Sequence, residues 1–253
     1  MRLLSFLFIV FAFLFLNVKC KTDKIQIVEE TPRFIRGTVE PVFGTEKLNL
    51  DSTYTTLQGY DIQFSNLKFY LEDVKNDGAT ILESALFDYR ENGTLLFREE
   101  STLITDGDFT GTLNANLGVG PNVNHLDPSA FDNASPLNIL NANDMHWDWN
   151  PGYIFLKIEA KVDTIQDGVP LFNHNVVYHI GLDENLQIVE FQNIQWTKVG
   201  DESRVELIVD LNEFLNSPNI IDVKTESSSH SSSGQEALSA KVIANFSEAL
   251  RPK

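Results

Sequence analysis

Imidazoles and indoles are the side chains of this sequence best suited to chemistry. The segment Met145-His-Trp-Asp-Trp-Asn-Pro-Gly-Tyr153 sets Trp147 and Trp149 one residue apart. In an extended backbone these indoles share one face, while His146 and Asp148 share the other. Val176-Val-Tyr-His-Ile-Gly181 puts His179 on one face of an apolar strand with Val177, and Val176, Tyr178 and Ile180 opposite. His230 is the one metal-capable side chain in Ser227-Ser-Ser-His-Ser-Ser-Ser-Gly234. Neutral imidazole is a common ligand for transition metals, so His179, His230 and His146, with His125 in reserve, are candidate ligands. A structural reading stands beside each. The tryptophans can plug one end of a β-domain, His179 can hydrogen-bond at a core edge, and the serine run reads as a flexible, solvated loop.

Common catalytic motifs are missing. The sequence has no His-Glu-x-x-His, no Gly-x-Ser-x-Gly, no phosphate-cradling loop and no cysteine nucleophile. Gly118-Val-Gly120-Pro reads as a turn, because no strand–helix nucleotide frame surrounds it. Carboxylates are abundant, but no spacing selects an acid/base pair. Asp106-Gly-Asp108 could gather oxygen ligands for calcium, and reads more simply as an acidic turn. The expectation is a binding protein, not an enzyme.

The elements that must position these residues are mostly strands. In Asn66–Val74, Leu67, Phe69 and Leu71 alternate with Lys68, Tyr70 and Glu72. Ile154, Leu156 and Ile158 alternate with Lys157 and Glu159, and Val205, Leu207 and Val209 repeat the period of two. Turn signals at Asn76-Asp77-Gly78, Glu91-Asn92-Gly93 and Asp106-Gly107 punctuate the runs. The pattern predicts an all-β, antiparallel β-sandwich with one short helix and a C-terminal helix. Asp210-Leu-Asn-Glu213 resembles a capping box for the short helix, which must end before Pro218. The C-terminal helix opens at Ser233-Gly-Gln-Glu236 and carries Leu238, Val242, Phe246 and Leu250 at four-residue intervals. Between Gly118 and Asn150 the sequence is rich in Asn, Asp and Pro without sustained periodicity. Such long loops are often functional, and this one holds His125, His146 and two of the three tryptophans.

The N-terminus reads as an export leader. Arg2 precedes the apolar run Leu3–Leu16, which is shorter than the ~20 residues a spanning helix needs. The expected division is a leader over residues 1–19 and a single domain over 20–253. Cys20, the only cysteine, sits where such a leader is cut and is the candidate for lipidation, although Lys19 departs from the small residue expected before it. The expected location is outside the cytoplasm, in the periplasm or at the outer membrane or cell surface. Any membrane attachment would run through the lipid alone. The formal charge of −17 deepens to −19 once Arg2 and Lys19 leave. That excess argues against nucleic acid and anionic membranes, which need basic patches. It is compatible with a cation.

The chain also resembles the methanobactin-associated, copper-binding periplasmic family (MbnP-like), from about Arg36 to Leu250. Asn66-Leu-Lys-Phe-Tyr-Leu-Glu-Asp73 is similar to its early strand, and Asn124-His-Leu-Asp-Pro128 to its Asn-x-x-Asp-Pro segment. Met145–Tyr153 is similar to its most specific signature, two tryptophans one residue apart followed by Gly-Tyr. Tyr178-His-Ile-Gly181 matches a strand motif, and Ala244-Asn-Phe246 a closing helix. The resemblance implies a β-sandwich whose copper site uses histidines and a tryptophan oxidised to kynurenine by a di-haem peroxidase-like partner. Carried over, His179 and then His230 are the ligands, and Trp147 or Trp149 is the oxidisable residue. Ser135 stands where relatives often carry a histidine in His-Pro-Leu. The alternative is a non-metal cell-surface interaction or accessory module that uses the 118–150 loop. Exposed tryptophans and scattered histidines would favour it.

Overall fold

The computed structural model describes residues 33–100, 111–142, 144–147 and 152–253. The expected leader, Cys20, the expected turn at Asp106-Gly-Asp108 and Trp149 lie outside the described residues. In chain order the strands are β1 (Phe34–Phe43), β2 (Glu46–Lys47), β3 (Thr53–Thr55), β4 (Asp61–Asn76), β5 (Ala79–Asp88), β6 (Leu95–Glu100) and β7 (Leu113–Leu117). They continue as β8 (Ile154–Asp163), β9 (His174–Gly181), β10 (Gln187–Phe191), β11 (Thr197–Val199), β12 (Glu202–Asp210), β13 (Ser228–Ser229) and β14 (Leu250–Pro252). The helices are α1 (Tyr89–Asn92), α2 (Pro121–Asn124), α3 (Ile139–Ala142), α4 (Leu211–Asn216) and α5 (Glu236–Ala249).

The strands form a sandwich of two sheets. One runs β11-β12-β1-β2, with β14 on β12 and β6 on β1; the other runs β10-β7-β4-β8-β9-β13, with β3 and β5 on β4. Pairing is mostly antiparallel, as the alternating runs predicted, but β1–β12 and β9–β13 are parallel. The Asp77-Gly78 turn between β4 and β5 has φ of 48° and 83°, the left-handed pair that suits a tight hairpin. Ile35 and Val39 of β1 and Leu207 and Val209 of β12 meet Leu67, Phe69, Ile158 and Tyr178 of the other sheet in the core. Asp210 caps α4 by accepting from the backbone N–H groups of Asn212 and Glu213. Helix α5 packs against β9, β10 and β12 and buries Val242, Ile243 and Phe246; Phe246 stands edge-on to Phe69 at 5.2 Å.

Two expectations need correction. The 118–150 segment is not a featureless loop, because its described part carries α2, α3 and a 3-10 turn at Pro128–Ala130. It folds over the outer face of β4 and β8 and builds a second apolar cluster. Val119, Leu137, Ala142, Met145 and Trp147 pack there with Tyr70, Tyr153, Ile154 and Phe155. Local alternation marked Tyr70 as outward-facing, and the segment then buries it, with its hydroxyl donating to the Pro136 carbonyl at 3.1 Å.

The serine run is solvated only in part: Ser228, Ser232, Ser233 and Gly234 are exposed, but Ser229 and Ser231 are buried. Ser228 and Ser229 extend the sheet as β13, and Ser229 is fully buried with its hydroxyl 2.7 Å from that of Ser239 on α5. Short hydroxyls can replace backbone partners in tight spaces, which is how a serine-rich stretch becomes ordered here. The Ser231 hydroxyl accepts from Gly181 N at 3.2 Å, and His230 N donates to the Gln235 side chain at 2.8 Å.

Candidate metal centre

Strand pairing brings the two predicted histidines together. Residue 179 lies on the outer face of β9, because Val176, Tyr178 and Ile180 fill the core. β13 runs parallel to β9 with Ser228 opposite Val177 and Ser229 opposite Tyr178. Continuing that register sets His230 beside His179. Their ring centres are 5.0 Å apart, with the planes at 77°.

The same face carries charge in alternating sign. Lys68 of β4 pairs in register with Lys157 of β8, and Lys157 with His179 of β9. Like charges directly opposite destabilise a sheet, and three carboxylates relieve this row. Asp88 contacts Lys68 Nζ at 2.7 Å, and Asp144 from the covering segment takes Lys68 at 3.0 Å and also contacts Lys157. Glu159 takes His179, whose Nε2 lies 2.8 Å from Glu159 Oε1.

The hydrogen bond from His179, with the nearby Lys157 ammonium, outweighs burial and holds Glu159 down at about 2. An ionised carboxylate only accepts hydrogen bonds, so His179 Nε2 must carry the proton and Nδ1 is the nitrogen left for an ion. Burial and the neighbouring His179 both push the His230 imidazole below its ordinary value. Burial opposes ionisation of Asp144, but Lys157 and Lys68 overcome it and bring that carboxyl to about 2.

Trp147 lies one pleat further along. Gly181 shares the face of His179 by the two-residue period, and a Cβ at 181 would sit 2.7 Å from Trp147 Cζ3. Trp147 is 6% exposed. His146, its neighbour in the chain, packs edge-to-face on Tyr153 at 5.0 Å between ring centres. His125 bonds Asp183 at 2.9 Å on an exposed turn. Met145, the one methionine of the chain besides Met1, is buried in the second cluster. Sequence reasoning did not single out Asp144 or Glu159. For Glu159 the signal was present in its outward position on β8.

The donor set fits a transition metal in part. With metal–nitrogen bonds of ~2 Å, two imidazoles on one ion hold their ring centres roughly 4.5–6 Å apart, and the observed spacing falls in that range. A carboxylate behind a ligating imidazole is the usual outer-shell arrangement. Among the described residues no group of three or more His, Cys, Asp or Glu side chains forms a complete site. An ion held by the two imidazoles would need a further ligand from outside this set.

No helix among the described residues is long and apolar enough to cross a membrane. No curated protein matches the chain. Among solved structures, MbnP from Methylosinus trichosporium is similar at 14% identity, with a TM-score of 0.46 over 75% of this chain and 79% of that one. The MbnP family model matches residues 35–232, which is most of the chain. The chain therefore belongs to the MbnP family.

Proposed function

We propose that this is an exported copper-binding protein that acquires, buffers or delivers the ion outside the cytoplasm, without turnover of a substrate. The observation that carries the reading is the His179–His230 pair, 5.0 Å between ring centres, with Glu159 fixing His179 from behind. Copper leads the affinity order of divalent first-row metals for nitrogen sites. The negative charge of the chain favours any cation. His179 and His230 would hold the ion through imidazole nitrogen, and Glu159 would keep His179 in one tautomer.

The third ligand we assign to an oxidised tryptophan. An intact indole N–H only donates, whereas opening its five-membered ring to kynurenine yields an aniline nitrogen and a ketone that can face a metal. Trp147 is the better candidate of the described residues, because it adjoins Gly181 on the face of His179; Trp149 stays open. A di-haem peroxidase-like partner would perform the oxidation. Lipidation at Cys20 would tether the protein to a membrane after export.

The interaction-module alternative needs exposed tryptophans and scattered histidines. Buried Trp147 and the adjoining histidine pair favour the metal reading. The test is intact mass, peptide mapping across residues 145–157 and metal analysis on one sample from the native host. A kynurenine mass on Trp147 or Trp149 with about one copper per chain supports the proposal. Unmodified tryptophans and no copper, even after copper is offered, would return the chain to the interaction reading.

A further inference from the structure

The contact between the covering segment and the sheet has a consequence for the histidine pair. Lys157 is only 6% exposed, so its ammonium must find partners inside the protein, because unpaired buried charge is strongly unfavourable. Two carboxylates stand within reach. It contacts Asp144, and it lies 3.6 Å from Glu159 Oε1. That same oxygen accepts from His179 Nε2 at 2.8 Å. Lys157 and His179 are therefore rivals for one carboxylate oxygen.

We propose that Asp144 is a positioning residue for the histidine pair. By engaging Lys157 it leaves Glu159 to His179. An ammonium–carboxylate contact is charge-assisted on both sides and outcompetes a neutral imidazole donor. Without the charge on Asp144, Lys68 keeps Asp88 at 2.7 Å, but Lys157 must turn to Glu159. His179 then loses the bond that fixes its ring and tautomer. Asp144 stands three residues before Trp147, so the seating of the covering segment is communicated to His179 through Lys157 and Glu159. The effect on copper rests on the proposed function; the effect on the His179 tautomer does not.

Both are read on the full mature chain and its Asp144→Asn and Asp144→Asn/Lys157→Met variants. Nitrogen-15 spectra of the metal-free imidazoles should show a single Nε2–H tautomer of His179 in the parent. Asp144→Asn should give a mixture, and the double variant should restore the parent form by removing the rival donor. Copper affinity from chelator competition should fall about 10-fold or more in Asp144→Asn, as for loss of an outer-shell partner, and return in the double variant. Simple destabilisation would not be repaired by deleting a second buried contact. An unchanged His179 tautomer in Asp144→Asn, or a double variant that fails to restore it, overturns the positioning role whether or not copper binds. A tautomer that shifts and recovers while no variant binds copper supports the positioning role and overturns only the copper reading.

Discussion

Trp147 rests on Gly181 so closely that a Cβ at 181 would lie 2.7 Å from the indole Cζ3 and 2.5 Å from the Tyr153 carbonyl oxygen. Real Cβ atoms do not approach backbone at that distance, so glycine is required there on steric grounds. Gly181→Ala is expected to destabilise the protein by about 1–3 kcal/mol, the usual result of overpacking. Denaturant midpoints measure the loss, and a shift in tryptophan emission should accompany it as the indole is lifted.

Asn124 ties the covering segment to the start of β8. Its side-chain oxygen accepts from Tyr153 N at 2.8 Å, its amide donates to Asp183 at 2.8 Å, and it is 1% exposed. Asn124→Ala strands the buried Tyr153 N–H, which costs about 1–3 kcal/mol. Hydrogen exchange at Tyr153 should rise together with the loss in denaturant midpoint.

The buried pair Ser229–Ser239 anchors the strand that carries His230. Ser229→Ala leaves the Ser239 hydroxyl without this partner, and about 1–3 kcal/mol should be lost. Replacing both serines by alanine should be less harmful than the sum of the single changes, because neither hydroxyl is then left facing a missing partner and only the Ser231 N–H that donates to Ser229 Oγ at 3.3 Å loses its acceptor. A thermodynamic cycle of the three variants checks this.

The pH dependence of the metal-free protein has a definite sign. Glu159 and Asp144 are held near 2, below their ordinary 4.5 and 3.8. Between those limits the unfolded chain binds more protons, so their stabilising contribution is complete above about pH 4.5 and is lost as pH falls toward 2. His230 is lowered too, so stability should begin to fall earlier, once pH drops below its unfolded value of 6.5. Urea midpoints across this range should fall in those two stages. A midpoint that rises on acidification contradicts the assignment.

The alternating strands were legible in the sequence because a period of two is a local property, and Leu67, Phe69, Ile158, Val205 and Leu207 all face the core as read. The Asp210 cap of α4 was legible for the same reason, whereas α5 begins only at Glu236, after Gln235, with no side-chain cap and not at the expected Ser233. What local pattern cannot show is which distant segment covers an outward face. Lys68, Tyr70 and Lys157 look solvent-facing on their strands, yet all three are buried, with the chain beyond Gly118 supplying the Pro136 carbonyl to Tyr70 and Asp144 to both lysines. His179 and His230 were each singled out, yet their adjacency depends on a parallel pairing between strands far apart in sequence. Glu159 and Asp144 had no motif to mark them. Their importance arises from what faces them across the sheet.

Chelator competition at neutral pH, comparing the mature parent chain with His179→Ala and His230→Ala, tests the central claim most directly. Each single change should weaken copper binding by more than the about 10–100-fold that loss of an outer-shell partner produces, while His125→Ala, on its exposed turn with Asp183, should leave it unchanged. Parental affinity retained in both variants, or no copper affinity in the parent, would contradict the account.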